Sequence, residues 1–209
     1  PIFTLDNVTY FFTGNINDSI EVERDNIVVD GKGYKLQGIG NGTGIDLSYR
    51  SNVTLKNLTI EGFYDGIYLY GSSDNNIYGN SMAKNDASGI RLDGSSNNNS
   101  IARNNFTNNS WGIYLNQCSN NNLYGNKITS NQLQGILIEN GSNCTIKGNV
   151  FMNITNFAIY TIDADYCLVE ANNISLAYNG IQMRFSDNST IADNQIFYFG
   201  SWTYTYSEC

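Results

Sequence analysis

The sequence contains no histidine, which removes the commonest side chain for binding zinc or copper and for general base catalysis. It has one proline in 209 residues, and only 14% of its residues are charged. No apolar run approaches the roughly 18 residues that a membrane-spanning helix needs, so we expect no membrane span in this chain. The 11 Lys and Arg are scattered among 19 Asp and Glu, which argues against nucleic acid as a partner.

Asparagine is abundant, with 34 residues beside 20 glycines. Asparagine favours turns over helix interiors, so a chain this rich in it is either disordered or uses asparagine at many equivalent turns. The 15 Tyr and 10 Phe supply apolar surface that disordered chains lack. We therefore expect an ordered chain with repeated turns.

A Gly-Ile-x-Leu motif recurs every 22 or 23 residues, in the same sense each time. Exact and relaxed copies begin at Gly44, Gly66, Gly89, Gly112, Gly135, Ala158 and Gly180. Period-two alternation of apolar residues indicates strands, and a fixed repeat of this length indicates a solenoid. The sequence predicts an all-β, right-handed parallel β-helix of about seven to eight coils stacked about 4.8 Å apart.

A second column of residues is asparagine, flanked by apolar positions. It comprises Asn57, Asn80, Asn104, Asn126, Asn149, Asn172 and Asn194. We expect two short strands per coil, with an inward asparagine at the bend after one of them. Buried amides can bond the turn backbone and one another, whereas a column of carboxylates would repel. This placement predicts that Asn57 carries no glycan.

The two ends differ from the repeat. Residues 1–18 are predicted to form N-terminal capping strands and residues 19–209 the solenoid, within a single domain. Phe3 and Phe11 near one end and Trp202 near the other are apolar candidates for contacts between copies. A strand edge that meets the next copy head to tail would propagate as a homopolymer.

The repeats resemble the NosD-type parallel β-helix repeat family, and the opening segment is most similar to archaeal-type cell-surface members. The stretches Val22–Gly31 (VERDNIVVDG) and Ser51–Asn57 (SNVTLKN) carry this resemblance together with the repeats. It implies the fold and an exported location. The family mixes surface proteins, carbohydrate-binding or hydrolysing domains and an accessory protein of periplasmic copper-site assembly.

No catalytic set is evident from the sequence. Asp163, Asp165 and Asp187 fall in successive turns. As the alternative to a chain without a catalytic site, they could form an acidic patch that cleaves polysaccharide or binds Ca²⁺. The competing interpretation is that they are solvated turn acids. We expect no metal site otherwise, and no cofactor.

The outward position of Gly-Ile-x-Leu supplies a candidate binding stripe. Tyr68, Tyr114 and Tyr160 occupy it in alternate coils, where they could stack on sugar rings or pack against another subunit. Tyrosine also simply favours strands.

The four cysteines allow several states. Cys144 and Cys167 fall in adjacent coils, which predicts a structural disulfide, and Cys118 and Cys209 could bridge subunits. Buried free thiols are the alternative.

Many Asn-x-Ser/Thr sequences accompany an acidic, Tyr-rich composition typical of extracellular surfaces. The candidates for covalent N-glycans are Asn7, Asn17, Asn41, Asn52, Asn98, Asn105, Asn108, Asn140, Asn143, Asn153, Asn173 and Asn188.

These observations favour a non-enzymatic extracellular protein, a surface-layer or filament subunit that stacks end to end. The alternative is a carbohydrate-binding or polysaccharide-cleaving module with cell-surface glycans as partners. A third hypothesis is an accessory factor for metal-site assembly, which the lack of histidine disfavours.

Overall fold

The computed structural model describes residues 1–197 and 207–208, and all regular structure in these residues is β-strand. The chain winds into coils that each contribute one strand to each of three sheets. One sheet has eight strands, which matches the predicted seven to eight coils. Within the described residues no helix is long and apolar enough to cross a membrane. The predicted all-β parallel β-helix is confirmed.

The strands, numbered in chain order, fall into three sheets. The ten-stranded sheet contains β1 (Ile2–Thr4), β2 (Thr9–Phe12), β4 (Val28–Asp30), β7 (Thr54–Lys56), β10 (Asn76–Tyr78), β13 (Ser100–Ala102), β16 (Asn122–Tyr124), β19 (Thr145–Lys147), β22 (Leu168–Glu170) and β25 (Thr190–Ala192). The eight-stranded sheet contains β5 (Lys35–Gln37), β8 (Thr59–Glu61), β11 (Ser81–Ala83), β14 (Asn105–Thr107), β17 (Lys127–Thr129), β20 (Val150–Met152), β23 (Asn173–Ser175) and β26 (Gln195–Phe197). The nine-stranded sheet contains β3 (Ile20–Glu21), β6 (Thr43–Asp46), β9 (Asp65–Tyr70), β12 (Ser88–Asp93), β15 (Trp111–Asn116), β18 (Ile136–Glu139), β21 (Phe157–Ile162), β24 (Asn179–Arg184) and β27 (Ser207–Glu208).

The expectation of two strands per coil was wrong, because each coil has three strands. The asparagine column lies at the bend between the first two of them. β10 ends at Tyr78 and β11 begins at Ser81, with Gly79 and Asn80 between them. Gly79 has a φ of 65°, in the left-handed region, and this residue turns the chain. The Gly-Ile-x-Leu segment is the third strand of each coil.

The core consists of inward columns that run along the solenoid axis. Ile67, Ile90 and Ile113 pair in register in the nine-stranded sheet, 23 residues apart. Met82 and Phe106 pair likewise in the eight-stranded sheet, and both are fully buried. Identical columns therefore bury apolar surface continuously from coil to coil, which is the main stabilising term in such a fold.

Asparagine ladders join the coils at three corners. At the predicted corner, Nδ2 of Asn104 donates to Oδ1 of Asn126 at 3.2 Å, and Nδ2 of Asn126 donates to Oδ1 of Asn149 at 3.0 Å. Two further ladders, absent from the prediction, are Asn75–Asn99–Asn121 and Asn85–Asn109–Asn131.

One predicted member of the first ladder is misplaced. Oδ1 of Asn80 accepts from the backbone N–H of Leu58, so Leu58 occupies the column, and Asn57 is exposed beside it. Asn57 has a φ of 54° and donates to Asp30. The structural reason given for excluding a glycan at Asn57 was therefore wrong.

The glycine of each repeat marks a close approach between coils. A Cβ atom added at Gly112 would lie 2.5 Å from the carbonyl oxygen of Gly135 and 2.9 Å from Cγ2 of Ile128. A side chain there would force the coils apart, which explains the recurrence of glycine at this position.

The N-terminal end is covered by one antiparallel strand. β1 pairs antiparallel with β2, and β2 pairs parallel with β4. Phe3 and Phe11 contact each other across this pair, with ring centroids 5.3 Å apart. Trp202 and Cys209, predicted to lie near the other end, fall outside the described residues.

Candidate functional site

The outward column of the nine-stranded sheet places aromatic and charged side chains in register. Tyr68 pairs with Arg91, Arg91 with Tyr114, Tyr114 with Leu137, and Leu137 with Tyr160. The three tyrosines are half-buried, whereas Leu137 is only 6% exposed. We call this outer surface, from Asp65 to Tyr160, the aromatic face.

Arg91 lies at the centre of the aromatic face, between two tyrosine rings. Its Cζ atom is 5.9 Å from the ring centroid of Tyr68 and 5.4 Å from that of Tyr114. Its Nε donates to Oδ2 of Asp93 at 2.7 Å. This bond uses one of the five guanidinium N–H donors, and the four on the terminal nitrogens make no hydrogen bond within the described residues.

Two buried oxygens on β12, the strand that carries Arg91, have no hydrogen-bond partner among the described residues. They are Oδ1 of Asp93 and Oγ of Ser88. Both residues are less than a tenth exposed. Buried polar atoms are almost always paired, so these two oxygens are exceptions that the described residues leave unsatisfied.

Asp65 adds a second carboxyl group to the same face. It is 5% exposed, and its Oδ1 accepts from the backbone N–H of Ser88 at 3.0 Å. Burial raises the pKa of Asp65 above its ordinary value, because desolvation penalises the carboxylate. A carboxyl group with a raised pKa keeps its proton to a higher pH than an ordinary aspartate does.

Stacked aromatic pairs extend the site along the axis. Trp111 stacks on Tyr114 with ring centroids 5.8 Å apart, and Phe157 stacks on Tyr160 at 5.1 Å. The Tyr114 hydroxyl donates to Oε2 of Glu139 at 2.7 Å, and burial together with this bond raises the pKa of Tyr114. The tyrosine is thereby held neutral and fixed in place.

Within the alternative acidic patch, the structure shows one hydrogen bond, which joins Asp165 to the backbone of Asp187. Asp163 and Asp187 are exposed in turns, and Oδ1 of Asp165 accepts from the backbone N–H of Asp187 at 2.7 Å. Within the part of the chain that the structure describes, no group of three or more His, Cys, Asp or Glu residues could hold a metal ion. The bond from Asp165 is typical of turn acids.

The three cysteines in the described range are buried free thiols, so the predicted Cys144–Cys167 bond is not formed in this structure. Cys144 and Cys167 do fall in adjacent coils, where Thr145 pairs with Leu168. Contact with Cys167 and burial raise the pKa of the Cys144 thiol. Cys118 is also buried: its Sγ lies 3.2 Å from the carbonyl oxygen of Asn116, and its own carbonyl oxygen lies 3.7 Å from Sγ of Cys144.

The candidate glycosylation sites lie at the surface, and the fold explains why there are so many. All are exposed except the half-buried Asn105. At Asn98, Asn108 and Asn143 the asparagine has a left-handed φ at a corner. The next residue points into a ladder column, and the following Ser or Thr begins or adjoins a strand. The corner geometry by itself therefore generates Asn-x-Ser/Thr.

Sequence reasoning found part of the aromatic face. It identified the tyrosine stripe, but it did not bring in Asp65, Trp111 or Glu139. The signal available was the repeat register, because Asp65 and Trp111 each begin the strand whose outward residue is Tyr68 or Tyr114.

A family model described as the right-handed beta helix region matches residues 4–143. The chain belongs to this right-handed β-helix family. A second model, described as periplasmic copper-binding protein (NosD), matches residues 110–206. No curated protein matches the chain.

Solved structures with the same fold include carbohydrate-modifying enzymes. The periplasmic alginate epimerase AlgG matches this β-helix protein with a TM-score of 0.76 and 20% identity, over 84% of this chain and 46% of AlgG. The Azotobacter vinelandii mannuronan C-5 epimerase AlgE6 A-module gives 0.61 and 15%, over 86% and 60%. Tailspike protein 2 of Escherichia coli O157:H7 bacteriophage CAB120 gives 0.62 and 14%, over 83% and 29%. The chain spans less than two thirds of each of these structures.

The expectation of a non-enzymatic surface-layer or filament subunit is corrected by these neighbours. They are epimerases of alginate and mannuronan and a phage tailspike, and none of the three is a filament subunit. The fold gives a physical reason as well. Antiparallel β1 covers the N-terminal edge of the ten-stranded sheet, so this one of the three sheets cannot be continued there by a further parallel strand.

Proposed function

We propose that this chain is a carbohydrate-active β-helix module that binds an acidic polysaccharide on the aromatic face. The observation that carries the proposal is the Arg91 guanidinium held between Tyr68 and Tyr114, with no hydrogen bond to its terminal nitrogens within the described residues. The alginate and mannuronan epimerases among the structural neighbours support the substrate class.

Each group has a role in this proposal. Arg91 receives a sugar carboxylate on its terminal nitrogens, while Asp93 fixes its orientation through Nε. The stacked Trp111 and Tyr114 rings offer a flat apolar surface for a sugar ring. Phe157 and Tyr160 repeat that surface further along the axis, so the polymer runs parallel to the solenoid.

The test is calorimetric titration with oligomannuronate, oligogalacturonate and a neutral glucan. We expect the two uronates to bind and Arg91→Gln to weaken them about tenfold or more, since hydrogen bonds between charged groups contribute about 1.5 to 3 kcal/mol. Arg184→Gln is the matched control, because Arg184 lies on the same sheet but contacts Phe185. Equal binding of the neutral glucan, or unchanged binding by Arg91→Gln, would refute the proposal.

A second candidate is proton transfer on the bound uronate, and the raised pKa of buried Asp65 favours it. With the sugar carboxylate paired to Arg91, the proton on the adjacent carbon becomes more acidic, as epimerisation or elimination requires. Deuterium exchange of that proton in D₂O, followed by NMR, tests this chemistry. We expect exchange with the native protein and its loss in Asp65→Asn; absence of exchange in the native protein would rule it out.

The location we propose is outside the cytoplasm, in the periplasm or beyond the cell. AlgG and the NosD model are both described as periplasmic, and this supports the proposal. More specifically, we propose that the chain lies at the cell surface, as the archaeal-type members do, and that it carries N-glycans at the exposed corners. Intact mass measurement of protein isolated from its source, before and after deglycosylation, tests the glycans.

A further inference from the structure

A second concave surface runs along the corner between the ten-stranded and eight-stranded sheets. This cavity of about 720 Å³ is lined by residues of five successive coils, from Lys32 to Lys127. Five coils span about 20 Å along the axis. We call this surface the corner trough. The aromatic face belongs to the nine-stranded sheet, so the corner trough is separate from it and shares no residue with it.

The trough exists because glycine and arginine alternate at the corner. Gly79, Arg103 and Gly125 occupy equivalent positions with φ values of 65°, 53° and 63°. A Cβ added at Gly79 would meet only Oδ1 of Asn57 at 3.7 Å, and one added at Gly125 only Cγ of Arg103 at 3.6 Å. The two glycines therefore leave open space on both sides of the Arg103 side chain.

The charge of the trough is opposite to that of the whole molecule. The chain carries a net charge of −8, yet no Asp or Glu lines the trough. Arg103 and Lys127 are exposed and make no ion pair within the described residues. Asp30 accepts a hydrogen bond from the lining residue Asn57, and it is already paired with both Lys32 and Lys56. The trough is thus a local site for an anion.

Two tyrosines lie on strands of the ten-stranded sheet that lead into the trough corner. Tyr78 and Tyr124 each stand one residue before a trough glycine, and both pair in register with Ala102 between them. They are therefore two coils apart, about 10 Å, a separation comparable to a disaccharide unit. A second cavity of about 500 Å³, lined by Tyr124 and Lys147, continues the groove. Lys147 is paired with Glu170.

We propose that the corner trough is a second binding site for a linear anionic glycan, separate from the aromatic face. Arg103 and Lys127 take the carboxylates or sulfates, and Tyr78 and Tyr124 take the sugar rings. An acidic glycan fits better than nucleic acid, because the trough supplies few unpaired cations and the rest of the chain repels a dense polyanion. The site would hold a polymer strand without acting on it.

The experiment is calorimetric titration of oligogalacturonate into the Arg91→Gln variant, which isolates the trough. We expect remaining binding that Arg103→Gln, added to this variant, weakens at least tenfold. Lys84→Gln is the matched control, because Lys84 is an exposed, unpaired cation at another corner within the described range, and we expect it to leave binding unchanged. A comparison of dextran sulfate with uncharged dextran tests whether binding requires anionic groups, and we expect only the sulfated polymer to bind.

The outcomes separate the two sites. If Arg103→Gln has no effect while Arg91→Gln abolishes binding, the trough proposal falls and the proposed function stands. If Arg103→Gln abolishes binding and Arg91→Gln has no effect, the trough proposal stands and the aromatic face falls. Equal binding of dextran, or tighter Arg103-dependent binding of single-stranded DNA, overturns the glycan assignment. Circular dichroism of each variant verifies that the fold is retained.

Discussion

Substitution of Asn126 by alanine tests the ladder that joins the coils. Asn126 is 1% exposed and its side chain makes four hydrogen bonds. Its Nδ2 donates to the carbonyl oxygen of Ile101 at 2.8 Å and to Oδ1 of Asn149 at 3.0 Å. Its Oδ1 accepts from the backbone N–H of Asn104 at 3.0 Å and from Nδ2 of Asn104 at 3.2 Å.

The alanine variant loses all four bonds at once, at a site that is only 1% exposed. At about 1 kcal/mol for each bond, the free energy of unfolding should fall by about 4 kcal/mol. The largest single part comes from the Asn104 backbone N–H, which is left buried without an acceptor. A loss of this size is unusual for one side chain.

Urea denaturation followed by circular dichroism measures this change. Asn122→Ala is the control, because Asn122 lies four residues earlier in the same coil but is exposed. We expect the control to change stability by less than about 0.5 kcal/mol. If Asn126→Ala lowers the free energy of unfolding by less than about 1 kcal/mol, the ladder does not stabilise the solenoid through these four hydrogen bonds.

Three further predictions concern the core, the site and the thiols. Phe106→Ala should lower the free energy of unfolding, measured by urea denaturation, by about 3 to 5 kcal/mol, because the ring is fully buried. A smaller loss than that caused by Ile113→Val would contradict this prediction. The raised pKa of Asp65 means that the folded state binds its proton more tightly than the unfolded state does. Stability should therefore fall as pH rises from about 4, and it should fall less in Asp65→Asn; identical pH profiles would refute the assignment. Burial raises the pKa of Cys118 to about 11, so iodoacetamide at neutral pH should modify it only after unfolding, as peptide mass spectrometry would reveal.

The fold could be predicted from the sequence because the repeat fixes it. A 23-residue interval between Ile67 and Ile90 specifies parallel in-register pairing, and the structure has that pair. The number of strands per coil could not be read in the same way. The short strands around Asn80 are three residues long, and a corner that turns at Gly79 has no signature that differs from an ordinary loop.

The site was predicted less completely than the fold. The tyrosine column followed from the register, but the ladder was displaced by one residue at Asn57 because Leu58 interrupts the asparagine pattern. The importance of Asp65 depends on burial, which raises its pKa, and burial is not encoded in local spacing. The trough around Arg103 depends on missing side chains in neighbouring coils, which only the assembled register brings together.

The most direct test of the central claim is a crystal structure of this chain soaked with oligomannuronate. We predict a sugar ring over Trp111 and Tyr114, with its carboxylate within hydrogen-bond distance of the Arg91 terminal nitrogens. Clear sugar density elsewhere with none on the aromatic face, at saturating ligand, would contradict the proposal that this face binds acidic polysaccharide.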